Sequence, residues 1–248
     1  MTKNYTNCFR EINIYKKMST KSEIISQMIY GESFKILQKK KKWLKIKVKE
    51  DGYIGFIKNK KYSKYIKPTH KVAVLSTNIY KKPNIKNSIG KITFGSKVSI
   101  KKKISKFSKF SNNKWIENKN IKPIKFKNKD IFFNINIFRN VKYKWGGKTF
   151  NGIDCSALIQ NFLNFNNMFC PRDTKDQVKF FKKNIKLKNI KKNDILYWKG
   201  HVAVALSKRE LIHAYGPAKK TVIMKITEAI KIIKKTANLD LKSIKRVK

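Results

Sequence analysis

Apolar residues in the second half of the chain switch between two periods. Leu158, Phe162 and Phe165 recur at helical spacing, with Ile159 and Leu163 beside them. This predicts a helix opening at Cys155, with Asp154 as its N-cap. Runs at Asp194–Trp198, Val202–Leu206, Leu211–Ala214 and near Thr221–Ile226 read as strands. A short helix is expected over Ile131–Phe138, another around Thr174–Lys182 and a third over Thr227–Lys235, before a final basic strand or tail. This half therefore reads as α+β.

The first half holds only short alternating runs separated by turns, and it repeats itself at a period of about 65 residues. Ile14-Tyr15-Lys16-Lys17 returns as Ile79-Tyr80-Lys81-Lys82, and the stretch from Met28 to Ser33 returns as Lys91 to Ser96. Each unit predicts a small β-barrel. The first adds Trp43-Leu44-Lys45-Ile46-Lys47-Val48, the turn Glu50-Asp51-Gly52, and Tyr53 to Ile57. In the second, Lys101–Lys114 is expected to be a solvated loop. Pro68–Thr77 is read as the link between barrels, with His70 structural.

Candidate chemistry gathers around Tyr143–Gln160, which reads YKWGGKTFNGIDCSALIQ. Its glycines mark backbone that turns tightly or approaches another group closely. A thiol in the first turn of a helix meets free N–H groups and the positive end of the dipole, so the sequence predicts a lowered thiol pKa. A lone Cys is more often a small core residue than a nucleophile. Two of the chain's three His, His201 and His213, change the balance, because they fall in a single apparent hairpin. Cys on a helix with two His on neighbouring strands supplies a nucleophile, a base and an orienting group. Both His are expected to share the face turned to the Cys helix, with Ala203 and Ala205 leaving room for it. Side chains alternate along a strand, so the hairpin loop must hold an odd number of residues, such as Ser207–Arg209, or the ladder must bulge. His213 then stands opposite Ala203.

These segments together resemble the NlpC family of papain-like cell-wall cysteine peptidases: YKWGG at Tyr143, DCSA at Asp154, PRDTKDQ at Pro171, DILYWKG at Asp194, GHVAVAL at Gly200 and IHAYG at Ile212. Ala157 departs from the pattern, where the family usually has Gly. The N-terminal units resemble bacterial SH3-like domains. The resemblance implies an α+β papain-like NlpC catalytic domain preceded by two small SH3-like β-barrels, with boundaries at 1–66, 67–125 and 126–248. It implies Cys155 as nucleophile, His201 as base, His213 as orienting residue and Tyr143 as an oxyanion support. It further implies Asp154, Ser156 and Thr174 as substrate contacts, with Glu32 and Tyr53 as further candidates. Arg172 and Asp173 are expected to pair and hold their loop, and Cys170 to be buried and inert. The implied substrates are peptidoglycan-derived peptides, cut between γ-D-glutamate and the diamino acid after a free N-terminal L-Ala. No metal or cofactor is expected.

Composition limits the alternatives. The chain of 248 residues is 41% hydrophobic, enough for a real core. It has no apolar run near the roughly 20 residues that span a bilayer, and its first residues lack the apolar stretch of a secretory signal. These features, with three cysteines in no framework spacing, lead to the expectation of a monomeric cytoplasmic protein. The net charge of +47 raises the possibility of nucleic acid as partner. The lysines, however, run through the whole chain and only five basic residues are Arg, whereas phosphate and base recognition favours Arg forks in a localised patch. No specific nucleic-acid partner is expected. Two rival readings are a non-catalytic SH3-type module that binds wall peptide or protein, and a basic protein that binds polyanions with steep salt dependence.

Overall fold

The computed structural model describes residues 3–247. The chain forms two compact units. One comprises Met1–Lys127 with Lys148–Phe150, and the other Asn128–Gly147 with Asn151–Lys248.

The regular structure of the first unit is strand, apart from a 3-10 turn at Asn118–Asn120. A seven-stranded sheet runs in the order Ile24–Ile29, Glu11–Tyr15, Ile54–Lys58, Trp43–Val48, Ser33–Lys40, Asn4–Thr6, Ser63–Lys64. Ile14, Met28, Phe34, Leu44, Ile46 and Ile57 fill its core. A second core gathers Val72, Ile79, Ile92, Val98, Phe110 and Ile116, and also takes Tyr30 from the first half. It is covered by a five-stranded and a three-stranded sheet. Among the described residues none of these sheets bonds its last strand back to its first, so no closed barrel is seen there. The register shifts at Ile14/Tyr15 and Ile36/Gln38 bend strands locally without closing the ring.

The repeat is visible as geometry. The strands Glu11–Tyr15 and Ser76–Tyr80 end on matching tyrosines. Gly31 turns with φ +83°, and a Cβ there would come within 2.0 Å of the Lys97 carbonyl oxygen. Two expectations fail in the second core. The supposed solvated loop contains the strands Lys102–Ile104 and Phe107–Ser111, because Phe110 is buried and Ser108 Oγ donates to Asn118 Oδ1 at 2.6 Å. The supposed link contributes His70–Val72, the middle strand of the three-stranded sheet. His70 Nδ1 lies 2.9 Å from Thr69 Oγ1.

The second unit is a six-stranded antiparallel sheet in the order Lys183–Ile185, Ser243–Arg246, Asp194–Trp198, His201–Ala205, Glu210–Tyr215, Lys220–Lys225. Three helices accompany it: α1 (Cys155–Phe165), α2 (Thr174–Phe180) and α3 (Ile226–Ala237). The expected helix at Ile131–Phe138 shrinks to a 3-10 turn over Ile135–Phe138, because Asn134 sits in the left-handed region at φ 52°. Phe132 and Phe138 from this segment pack on Phe162 of α1 at 6.2 and 5.9 Å between ring centroids.

Leu196, Trp198, Ala203, Ala205, Leu211 and Tyr215 share one face and pack on Ile226, Ala229 and Ile233 of α3. The two alanines therefore make room for α3 rather than for the Cys155 helix. Helix α1 packs against the His201 and Glu210 strands.

Candidate active site

Each element at the site follows from a local rule. Asp154 is extended (φ −99°, ψ 172°) and its side chain accepts from Ala157 N at 2.8 Å, which opens α1 at Cys155 as a capped helix should. Ala157 is fully buried and its methyl is accommodated. The hairpin pairs Val204 with Ile212 and Ala205 with Leu211, and Leu206 N donates to Glu210 O. The loop is thus Ser207–Arg209, an odd count, and the same register carried one step further sets His213 opposite Ala203.

His201 and His213 lie together, and both rings stand beside Tyr215. His213 stacks on Tyr215 at 4.8 Å, and His201 lies 5.7 Å from both Trp198 and Tyr215. The N–H groups of Val202 and Ser156 point at the Cys155 sulfur, which puts the sulfur beside the residue that follows His201.

His201 Nε2 is 2.8 Å from His213 Nδ1. This bond orders the protons. For Nδ1 of His201 to offer a lone pair, Nε2 must carry hydrogen and donate to His213. His213 then holds its own proton on Nε2, which is buried without a partner.

Burial reverses the expected electrostatics of the thiol. The two N–H groups and Arg172 favour thiolate, but burial, aided by the Asp154 carboxylate, outweighs them and pushes the Cys155 pKa up to about 12. Burial also lowers His201 to about 4 and His213 to about 3, the latter with help from His201. His201 as a residue is only half-buried, yet its imidazole is enclosed by three aromatic neighbours. The resting pair is therefore neutral, and the proton moves when substrate is attacked.

These shifts have a consequence for stability. Both imidazoles titrate near 6.5 in an unfolded chain and about 4 and 3 when folded. Between those values the unfolded chain binds more protons, so stability falls as pH drops from 6.5 towards 4, and above 6.5 the pair contributes nothing. The expected loss for the pair is about 5 kcal/mol. Urea unfolding at pH 7 and pH 4.5 measures it. His213→Asn should lose less than wild type over the same interval, and equal losses would refute the assignment.

The residues flanking the nucleophile are more heavily committed than the sequence suggested. The Asp154 carboxylate accepts from Ala157 N, Ser156 Oγ (3.1 Å) and Gly146 N (3.0 Å). The Arg172 guanidinium holds both of its oxygens, at 3.1 and 2.5 Å, and donates to Ser156 Oγ at 2.7 Å. Arg172 thus serves Asp154 and Ser156, and Asp173 stands as N-cap residue of α2. Thr174 is the first, half-buried residue of that helix. Gln177, which the sequence reading passed over, donates to Ser156 O (3.0 Å) and Pro171 O (2.9 Å). Tyr143 lies against Gly216, and its pKa is raised by burial and by the nearby Cys155 and Asp154. Tyr197, also near Cys155, keeps a buried hydroxyl without a hydrogen-bond partner. Cys170 is fully buried. In the first unit, Glu32 is buried and accepts from Lys148 Nζ at 2.8 Å and Ile29 N at 2.9 Å. Tyr53 packs at the edge of the first core.

Residues 140–236 match the NlpC/P60 family, and residues 14–61 match the bacterial dipeptidyl-peptidase SH3 domain. A stretch of 72 residues, 29% of this chain and 27% of the relative, is 38% identical to dipeptidyl-peptidase 6 of Lysinibacillus sphaericus. Over 237 residues, 86% of this chain and 79% of the relative, identity to the γ-D-glutamyl-L-lysine dipeptidyl-peptidase of Bacillus subtilis strain 168 is 23%. Among solved structures, an NlpC/P60 family protein from Bacillus cereus ATCC 10987 aligns with TM-score 0.83 at 14% identity, covering 98% of this chain and 99% of that one. An NlpC/P60 endopeptidase from Photobacterium damselae subsp. piscicida aligns with TM-score 0.62 at 15% identity, covering 98% and 70%. At such identities the structural likeness speaks for the fold. The chain carries an NlpC/P60 family domain at residues 140–236 and, ahead of it, a bacterial SH3 domain at residues 14–61.

Proposed function

We propose that this chain is a cysteine peptidase that hydrolyses peptidoglycan stem peptides at the γ-D-glutamyl–diamino acid bond, as a dipeptidyl peptidase. The observation that carries the reading is the thiol of Cys155 at a capped helix start, with two N–H groups on its sulfur, one of them from Val202 next to His201, whose ring is bonded to His213. Cys155 Sγ attacks the scissile carbonyl carbon while its proton passes to Nδ1 of His201. His213 holds the ring and shares the charge of the imidazolium. The oxygen that gains charge lies within reach of backbone N–H groups at the start of α1 and of the Tyr143 hydroxyl. His201 returns the proton to the departing amine, leaving a thioester on Cys155. Water, deprotonated by His201, then releases the dipeptide and restores the thiol. Residues 126–248 form the catalytic part of this reading, and 1–66 and 67–125 two SH3-like modules ahead of it.

The relatives' names support the dipeptidyl assignment, and Asp154 supplies a carboxylate for the substrate's ammonium. Its charge is already shared with Arg172, however, so an N-acylated substrate would not leave it unpaired. The expected discrimination is correspondingly modest, about tenfold, or about 1.4 kcal/mol, before any steric exclusion. Mass spectrometry of products from L-Ala-γ-D-Glu-diamino acid peptides, with and without an N-acetyl group, tests this. Preferential cleavage of the free-amine peptide is expected. Equal cleavage of both would remove the dipeptidyl assignment, and cleavage of neither would remove the peptidase reading.

A further inference from the structure

We propose that Arg172 is a positioning residue for the nucleophile: its guanidinium fixes the two residues on either side of Cys155 and cancels the Asp154 charge at the thiol. The inference rests on Cys155 as nucleophile and adds to it a group that is remote in sequence from the Cys155 turn. Three features carry it. Arg172 is 3% exposed, so its charge is committed to the protein rather than to solvent. It holds both oxygens of Asp154 and the hydroxyl of Ser156. Those two residues are the immediate neighbours of Cys155 in the chain, so three bonds from one rigid fork define where the thiol points.

The loop carrying Arg172 is itself tied to the same turn. Gln160 of α1 donates to Cys170 O, and Gln177 of α2 spans Pro171 O and Ser156 O. The result is a closed arrangement in which the segment between α1 and α2 grips the start of α1.

The electrostatic half of the inference follows from what faces the sulfur. The charged groups there are Asp154, which disfavours thiolate, and Arg172, which favours it. Tyr143 and Tyr197 bring neutral hydroxyls, and His201 and His213 are neutral near pH 7. Removing Arg172 would leave a buried carboxylate adjacent to the thiol with no compensating charge. Thiolate would then form only at higher pH, and the imidazole would have to take its proton against a larger barrier. Lysine cannot reproduce the fork, since it offers a point charge in place of two parallel donors.

The test reads the thiol directly, without peptide substrate, so it stands apart from any failure to cleave stem peptides. Iodoacetamide alkylation of Cys155 in the full chain is followed by peptide mass spectrometry, which separates it from Cys8 and Cys170, over a range of pH. Arg172→Met should shift the alkylation profile to higher pH by one unit or more, and Arg172→Lys by less. The double variant Asp154→Asn/Arg172→Met should return the profile towards wild type, which a merely structural role would not do. If Arg172→Met fails to fold, Asp154→Asn alone should move the profile to lower pH. A profile unmoved by Arg172→Met, a double variant that stays as shifted as the single, or an Asp154→Asn profile equal to wild type would each overturn the proposal.

Discussion

Cys155→Ala and His201→Ala should each lower kcat/KM on a stem peptide by at least about 10⁴-fold, because nucleophile and base act as one unit and losing either removes the covalent route. The structure sharpens the expectation. With the thiol held neutral by burial, no standing thiolate is available to react without a proton acceptor, so His201→Ala should be nearly as inactive as Cys155→Ala. His213→Ala should retain more activity. It loses the 2.8 Å bond that orients His201, yet leaves the base in place. His213→Asn, which can still accept from Nε2, should recover part of the loss. Substantial hydrolysis by Cys155→Ala would end the cysteine-peptidase reading. Equal loss in His213→Asn and His213→Ala would end the orienting role.

Gly147→Ala should destabilise the second unit by about 2–4 kcal/mol and lower activity by about 100-fold. A Cβ on Gly147 would lie 2.5 Å from the Gly152 carbonyl oxygen and 2.9 Å from the Lys144 carbonyl oxygen. Both are backbone atoms, which cannot rotate away as a side chain can. Gly147 N donates to Lys144 O, and Gly147 O accepts from Asp154 N. Relief of the clash must therefore move the strand that delivers Asp154 and Cys155. The activity loss should exceed what the fraction unfolded explains, as thermal unfolding and kcat/KM on the same sample would show. A variant with wild-type stability and rate would mean that the turn relaxes without displacing Cys155.

Much of the site was legible because its rules are short-ranged. Asp154 before Cys155, with apolar residues at helical spacing beyond, specifies a capped helix start, and the cap acts over three residues. Alternation along His201–Ala205 and Glu210–Tyr215 forces an odd loop once both His must share a face, and Ser207–Arg209 meets that demand. The repeated run ending at Tyr15 and Tyr80 places equivalent strand ends in two cores.

Other features are decided only when distant segments meet. Parity shows that His201 and His213 agree in face, but not that Ala203 and Ala205 make room for α3. Arg172 beside Asp173 suggested a local pair, but nothing local announces that the fold delivers Asp154 and Ser156 to the guanidinium from a different element. Strands at Lys102–Ile104 and Phe107–Ser111 form because Phe110 finds a core that its polar neighbours conceal in the sequence. The thiol shows the division most sharply. Its place at a helix N-terminus is a property of the sequence and argues for a lowered pKa. Its burial among packed elements is a property of the tertiary structure, and the cost of desolvating an anion exceeds what the two N–H groups and one guanidinium return. Periodicity and capping act within a few residues and are written in order along the chain, while burial and the choice of charge partner depend on which remote atoms fill the space around a group.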